Sequence, residues 1–280
     1  FNGTLWNDKA NPAGQVPYTS NNGLVTDAVT TNLVTLTPAV IEEALGAFYG
    51  ENPNGVWTLR ISDDTTADGG SLDSWSLQLG TLVSPPTFTT TTVTNATAVI
   101  LADSPAVTTS TIGVAALGTQ IGRIRVRTFI RHTFPGDLDI TLKSPAGTVV
   151  TLTTDNGSSS DNVFNGTLWD ETADPGNQVP FPVTDTFAAS NLVTDTVYTN
   201  LVPKQTLVPE EALAAFQGEN PNGNWVLSSS DDAGGDTGTL DSWSLEITTT
   251  ICTAPCTVNC DDNNPCTTDS CDPVSGCVYT

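Results

Sequence analysis

The stretch GTLDSWSLEI at residues 238–247 decides the fold, because almost the same ten residues, GSLDSWSLQL, occur at 70–79. The neighbouring residues repeat as well: 50–79 and 218–247 align without a gap and match at 19 of 30 positions. A repeat of this quality indicates a structural unit that the chain uses more than once.

The repeat extends upstream, where 1–17 matches 164–180 at 11 of 17 positions. The offset between the copies grows from 163 to 168, which predicts five extra residues in a surface loop of the second copy. The strand-rich run 95–163 precedes the second copy and has no counterpart before Phe1. We therefore expect the chain to begin inside the first copy.

This organisation predicts four segments. They are the second half of one unit at 1–80, a Thr/Pro-rich linker at 81–94, a complete unit at 95–249 and a cysteine-rich unit at 252–280.

Alternating apolar and polar residues predict β-strands in the complete unit. Residues 123–130 place Ile124, Val126 and Ile130 on one face. Residues 138–142 alternate in the same way, and a Ser-Pro-Ala-Gly turn before 148–153 predicts a hairpin. We therefore expect an antiparallel β-sandwich.

Only one short pattern in each copy favours a helix. Pro209–Phe216, with its twin Pro38–Phe48, begins with proline and acidic residues, and glycine follows at Gly218.

The charge balance excludes several partners. Lys and Arg number 8 against 31 Asp and Glu, a formal net charge of −23. Phosphates of nucleic acid and anionic lipids would be repelled, so neither is an expected partner. No apolar run reaches membrane-spanning length, and we predict no membrane insertion.

All six cysteines lie near the C-terminal end, at Cys252, Cys256, Cys260, Cys266, Cys271 and Cys277. An even number packed this densely predicts disulfides in an oxidising compartment, with the pairing left open. Zinc is the alternative, but no CxxC pair and no histidine accompany these thiols.

The sequence carries no catalytic constellation. GxSxG and HExxH are both absent, and His132 is the one histidine. His132 ends an alternating strand, so we expect a structural role for it. The prediction is that this chain is not an enzyme.

Acidic residues recur at identical spacing in the two copies. They are Asp63, Asp64, Asp68 and Asp73 in the first copy, and Asp231, Asp232, Asp236 and Asp241 in the second. Several carboxylates in a glycine-rich loop can bind Ca²⁺, the one cofactor that we consider. The alternative is that they are solvated turn residues, for which Asp and Gly are common choices.

Two further charged sets allow two interpretations. Asp137 and Asp139, with Asp155 and Asp161, could bind a metal, but we favour pairing of the first two with arginines of a neighbouring strand. Those arginines are Arg123, Arg125, Arg127 and Arg131. They could form a docking face for an acidic partner, or a solvated sheet face balanced by nearby acids.

The tryptophans divide by their context. Trp225 and Trp243, like Trp57 and Trp75, sit beside apolar residues and are predicted to lie in the core, with a carbohydrate platform as the alternative. Trp6 and Trp169 lie in polar surroundings and are predicted to be exposed.

Two motifs resemble a known family. HTFPGDLDITLKSPAGT at 132–148 and the spaced pattern FxGxxxxGxWxL at 216–227, followed by GxLxSWxL at 238–245, resemble the P domain, or Homo B domain. It follows the subtilisin-type catalytic domain of proprotein convertases and occurs in bacterial secreted proteases and surface proteins. The resemblance covers 95–249 and, in part, 1–80. It implies a jelly-roll-like β-sandwich and a non-catalytic module that packs on, stabilises or targets a neighbouring domain.

The tail CDDNNPCTTDSCDPVSGCVYT at 260–280 resembles short cysteine-rich repeats of extracellular matrix and surface proteins in slime moulds and bacteria. Such units come in strings, so we expect the chain to continue past Thr280.

These features favour a tandem, non-catalytic module of a large secreted or cell-surface protein, with a role in adhesion, spacing or assembly. The alternative is an accessory C-terminal region of a secreted subtilisin-like serine endopeptidase or a metalloprotease. A third hypothesis is a filament subunit, in which strands of another molecule complete the first copy. The expected partners are neighbouring domains of the same polypeptide and other protein or surface components.

Overall fold

The computed structural model describes residues 2–10, 41, 44–61, 67, 69–81, 87–104, 106–173, 206–251, 269–272 and 276–279. These ranges contain β-strands and short 3₁₀ turns and no α-helix. The strands are β1 Thr87–Asn95, β2 Val99–Leu101, β3 Val107–Val114, β4 Ile121–His132, β5 Leu138–Lys143, β6 Val149–Thr154, β7 Asn165–Trp169, β8 Thr206–Leu207, β9 Gly223–Asp231, β10 Gly238–Ile251, β11 Asp269–Asp272 and β12 Gly276–Tyr279.

The complete unit is built from two sheets. One has the order β1-β10-β4-β7-β8, with β2 also paired to β10, and the other has the order β3-β9-β5-β6. All neighbours are antiparallel except β7 and β8, which run parallel. The predicted hairpin is confirmed as β5 and β6, where Lys143 lies opposite Val149. Strands β11 and β12 form a separate antiparallel pair.

The two sheets share one hydrophobic core. Apolar residues alternate along β4, so that Ile124, Val126 and Ile130 are buried as predicted. Trp225 and Trp243 are 0% and 1% exposed, which confirms that they are core residues of the second copy. Each indole also has a polar partner: Trp225 donates to the Pro221 carbonyl and Trp243 to the Ser110 hydroxyl.

Residues 87–94, predicted as linker, belong to strand β1. This threonine run pairs with β10 along its whole length, from Thr87 opposite Ile251 to Asn95 opposite Trp243. Threonine is β-branched and suits an edge strand, so the run is part of the sheet.

The predicted helix at Pro209–Phe216 is wrong for most of its length. Only Leu213–Phe216 forms a turn, and it is 3₁₀. The backbone N–H groups of Glu210 and Glu211 instead donate to the carbonyls of Leu152 and Thr151 in β6. The segment therefore satisfies these two backbone donors against strand β6.

Within its described residues, the first copy retains local turns of the second but forms none of the equivalent strands. Phe48 packs edge-on against Trp57, with ring centroids 5.2 Å apart, as Phe216 does against Trp225 at 5.1 Å. In contrast, residues 51–61 and 69–81 contain no strand.

Their large apolar side chains are exposed. Val56 is 95% exposed and Trp75 47%, whereas Trp243, the equivalent of Trp75, is buried. In the second copy the equivalent strands are flanked by β3, β4 and β5. Among the described residues, 51–61 and 69–81 have no such neighbours.

Candidate functional site

The ends of β4, β5 and β9 form an acidic end of the sandwich around a buried histidine. His132 Nε2 lies 3.0 Å from Asp231 Oδ2, and the backbone N–H of Phe134 donates to His132 Nδ1 at 3.2 Å. Because Nδ1 accepts a hydrogen bond, Nε2 carries the hydrogen that Asp231 accepts.

His132 cannot reach a substrate from this position. Its side chain is fully buried and both ring nitrogens are used within the protein. A general base must come within hydrogen-bonding reach of its substrate, which burial prevents here. The histidine therefore holds the end of β4 against the end of β9, in keeping with its predicted structural role.

Carboxylates crowd the same end. The backbone N–H of Asp232 donates to the carbonyl of Asp137 at 3.0 Å. Burial raises the pKa of Asp137. Repulsion from the carboxylates of Asp231, Asp236 and Asp232 raises this pKa further. Burial also raises the pKa of Asp231, although its bond to His132 acts in the opposite direction.

The four acids proposed for calcium in the second copy have different surroundings. Arg131 makes a bidentate ion pair with Asp241, in which Nε and Nη2 donate to the two carboxylate oxygens at 2.6 Å each. Asp236 accepts from the Thr133 hydroxyl at 2.8 Å. Across the described ranges, no three His, Cys, Asp or Glu side chains are grouped as metal ligands. Calcium at this loop stays a prediction, and binding requires the loop to bring its carboxylates together.

The matching acids of the first copy are mostly outside the described residues. This holds for Asp63, Asp64 and Asp68. Asp73 is described and accepts from the Ser71 hydroxyl at 2.9 Å.

The predicted pairing of Asp137 and Asp139 with the arginine row is wrong. Strand β5 lies in the sheet opposite β4, and Asp139 is 0% exposed there. The arginines find other partners: Asp170 for Arg123 at 2.6 Å, Glu246 for Arg125 and the Gly166 carbonyl for Arg127 at 2.9 Å. Although burial raises the pKa of Asp170, its bond to Arg123 keeps it below the ordinary value. This favours a sheet face balanced by its own acids.

Two 3₁₀ turns of the first copy dock on two 3₁₀ turns of the second. Asp8–Ala10 packs against Leu213–Phe216, and Leu45–Phe48 packs against Glu171–Ala173. Lys9 Nζ donates to the Gln217 carbonyl at 2.6 Å. Ala44, Ala212 and Ala214 form a small buried cluster in this contact, which we call the docking surface together with the four turns.

Each copy contributes one buried acid to the docking surface. Asp8 accepts from the backbone N–H groups of Leu45 and Gly46 at 3.0 and 2.8 Å, and Glu171 accepts from that of Ala214 at 2.7 Å. Burial raises the pKa of both, that of Glu171 to about 7. The local sequence patterns did not single out this pair of acids. The available signal was that Asp8 and Glu171 occupy equivalent positions in the aligned blocks 1–17 and 164–180.

The structure also places two further tryptophans and two of the six cysteines. Trp169, predicted to be exposed, is 0% exposed and donates to the Thr128 hydroxyl at 3.0 Å, whereas Trp6 is 39% exposed. Cys271 lies opposite Cys277 in the β11–β12 pair. The other four cysteines lie outside the described residues; they are Cys252, Cys256, Cys260 and Cys266.

These features define a domain that is all-β over its described residues and whose one histidine is buried in it. The sequence profile of the proprotein convertase P-domain matches residues 12–79, 121–177 and 189–247. The chain belongs to this family, whose members are non-catalytic accessory domains of proteases and occur in secreted proteins. A second profile, the Dictyostelium (slime mold) repeat, matches residues 259–280.

Among solved structures, the chain is similar to the serine protease of Aeromonas sobria. The protease in complex with its chaperone gives 19% identity and a TM-score of 0.35, and the protease alone gives 20% and 0.34. Each match covers 60% of this chain and 28% of the protease chain. The search of curated proteins found no match. None of the described helical turns is long and apolar enough to cross a membrane.

Proposed function

We propose that this chain is a tandem, non-catalytic P-domain segment of a secreted or cell-surface protein and that it serves adhesion, spacing or assembly. The observation that carries the proposal is the docking surface, where the two copies use the same turns to contact each other. A protease that needed the domain only for stability would usually carry one copy. The slime-mold repeat match at 259–280 adds support, since it joins the P-domain copies to a repeat of another family. Within this proposal, the complete unit is a jelly-roll-like sandwich and the tail is a disulfide-bonded unit.

A protease-accessory role is the second candidate, and the family assignment favours it. P domains accompany proteases, so the segment could stabilise or direct a catalytic domain of the same polypeptide. The two proposals differ in what depends on the segment: surface attachment in the first, and peptidase activity in the second.

Deletion of residues 1–251 from the protein in its native host tests both. The adhesion and assembly proposal expects less attachment to the cell surface or matrix, with secreted peptidase activity unchanged. A loss of peptidase activity or of its heat resistance, with attachment unchanged, would instead support the accessory role. His132→Ala is the matched variant, because it disturbs the sandwich without removing a segment.

A further inference from the structure

The docking surface is built from equivalent pieces of the two copies. Asp8 and Glu171 are equivalent at an offset of 163, and Gly46 and Ala214 at an offset of 168. Within each copy the acid accepts from the backbone N–H at the second of these positions. Both copies therefore form the same acid-to-turn unit, with aspartate in one and glutamate in the other.

The contacts between the copies are exchanged in the manner of a two-fold axis. The acid-bearing turn of each copy packs on the alanine-rich turn of the other: Asp8–Ala10 on Leu213–Phe216, and Glu171–Ala173 on Leu45–Phe48. An interface in which both partners use the same pair of patches, each patch contacting the other one on the partner, is called isologous. It is the usual geometry of two-fold pairs. Here both halves of such an interface lie in one chain.

The two halves of this interface differ in the size of the side chains that meet there. A Cβ added to Gly46 would lie 2.6 Å from both Cδ and Oε1 of Glu171, closer than atoms can approach. The longer acid therefore faces a residue without a side chain. By the two-fold relation, the shorter acid Asp8 belongs opposite Ala214, which has a methyl group. Each copy thus complements the other rather than itself.

We propose that the docking surface is a pairing surface for P-domain copies and that residues 8, 46, 171 and 214 determine which copies pair. A copy that carries Glu171 and Ala214 pairs with a second P-domain copy that has a short acid at the position of Asp8 and a glycine at the position of Gly46. Two copies with Glu171 and Ala214 would set a methyl group against a carboxylate on both sides. The steric conflict and the crowding of two long acids disfavour that pair. This inference goes beyond the proposed function and holds for either candidate role.

Gly46→Ala in the full chain tests the pairing. We expect amide hydrogen exchange of peptides covering residues 44–50 to become roughly tenfold faster, because the added methyl group overlaps the Glu171 carboxyl group. Exchange in 225–227, inside the sandwich, should not change and shows that the domain is folded. Gly70→Ala is the matched control in the same copy, since a Cβ there meets nothing within 4 Å.

Glu171→Asp supplies the compensating change. Asp8 already shows that an aspartate at this position can accept from the backbone N–H of the alanine-rich turn in its own copy. We expect Gly46→Ala to have a smaller effect on exchange in the Glu171→Asp background than in the original chain, because the shorter acid leaves space for the methyl group. The proposal is overturned if Gly46→Ala behaves like Gly70→Ala, or if its effect is the same in both backgrounds.

Discussion

His132 Nε2 lies 3.0 Å from Asp231 Oδ2 in a position where the two side chains are 0% and 1% exposed. The bond joins the last residue of β4 in one sheet to the last residue of β9 in the other. Removing a hydrogen-bond donor from a buried carboxylate is costly, because water does not reach the carboxylate to replace the lost bond.

We therefore expect His132→Ala to lower the free energy of unfolding by about 3 kcal/mol. Urea unfolding followed by tryptophan fluorescence measures this. Thr133→Ala, at the neighbouring exposed position, is the control and should cost under about 1 kcal/mol. Adding Asp231→Asn to His132→Ala should cost less than the sum of the two single changes. Equal costs for His132→Ala and Thr133→Ala would contradict the pair's role.

Gly238 and Gly70 are equivalent glycines with opposite surroundings. A Cβ on Gly238 would overlap the imidazole of His132 and lie 2.6 Å from the Arg131 carbonyl oxygen, whereas one on Gly70 meets nothing within 4 Å. We expect Gly238→Ala to destabilise the protein by about 1–3 kcal/mol, the range for overpacking a dense site. Gly70→Ala should be close to neutral. Thermal unfolding of both variants measures the difference, and equal midpoints would show that the strand end accommodates the methyl group.

Local sequence patterns predicted the strands well but not what lies against them. The alternation at 123–130 identified β4, and the turn at 144–147 identified the β5–β6 hairpin. Alternation also placed Asp139 on an outer face, yet both faces of β5 are covered and Asp139 is buried. Trp169 was misjudged for the same reason: its polar neighbours do not reveal that β7 pairs with β4 and packs Trp169 against Phe164, with ring centroids 5.4 Å apart.

The docking surface shows a second limit of local patterns. Repeat alignment identifies equivalent residues, but not that one copy packs on the other. Asp8 and Glu171 become informative only when the four turns are brought together, since neither acid stands out from the 31 in the chain.

Buried Glu210 makes stability depend on pH. Its Oε1 atom accepts from the backbone N–H of Thr154 at 2.8 Å and from Asn156 Nδ2 at 2.6 Å. Burial raises the pKa of Glu210 to about 8. The folded state then binds more protons than the unfolded state between pH about 4.5 and 8. Stability from this group is complete below its unfolded pKa and is lost as the pH rises through 8.

We therefore expect the free energy of unfolding to be higher at pH 5 than at pH 8.5. Glu171, with its pKa of about 7, changes stability in the same direction. Urea titrations at both pH values measure the difference, and Glu210→Gln should reduce it because glutamine does not ionise. An unchanged pH dependence in Glu210→Gln would show that Glu210 does not cause it.

The cysteine-rich tail is predicted to contain three disulfides. Strand pairing places Cys271 directly opposite Cys277, at a backbone separation that a disulfide can bridge. Mass spectrometry without reduction should find the chain about 6 mass units lighter than its all-thiol form, because each bridge removes two hydrogens. Peptide mapping should recover Cys271 linked to Cys277. Free thiols in protein prepared under oxidising conditions would contradict the prediction.

Calcium binding by the loop after β9 is the last prediction. Burial and the carboxylates of three neighbours raise the pKa of Asp137, and a divalent cation would relieve this repulsion. We expect the unfolding midpoint of the full chain to rise when chelator is replaced by millimolar calcium. Binding only to the folded state adds about 2.7 kcal/mol at a hundredfold excess over the dissociation constant. Asp232→Asn with Asp236→Asn should reduce the shift, whereas Glu51→Gln, at an exposed acid outside both candidate calcium loops, should leave it unchanged. A midpoint that does not move in the original chain would identify Asp231, Asp232 and Asp236 as turn and core residues without a role in metal binding.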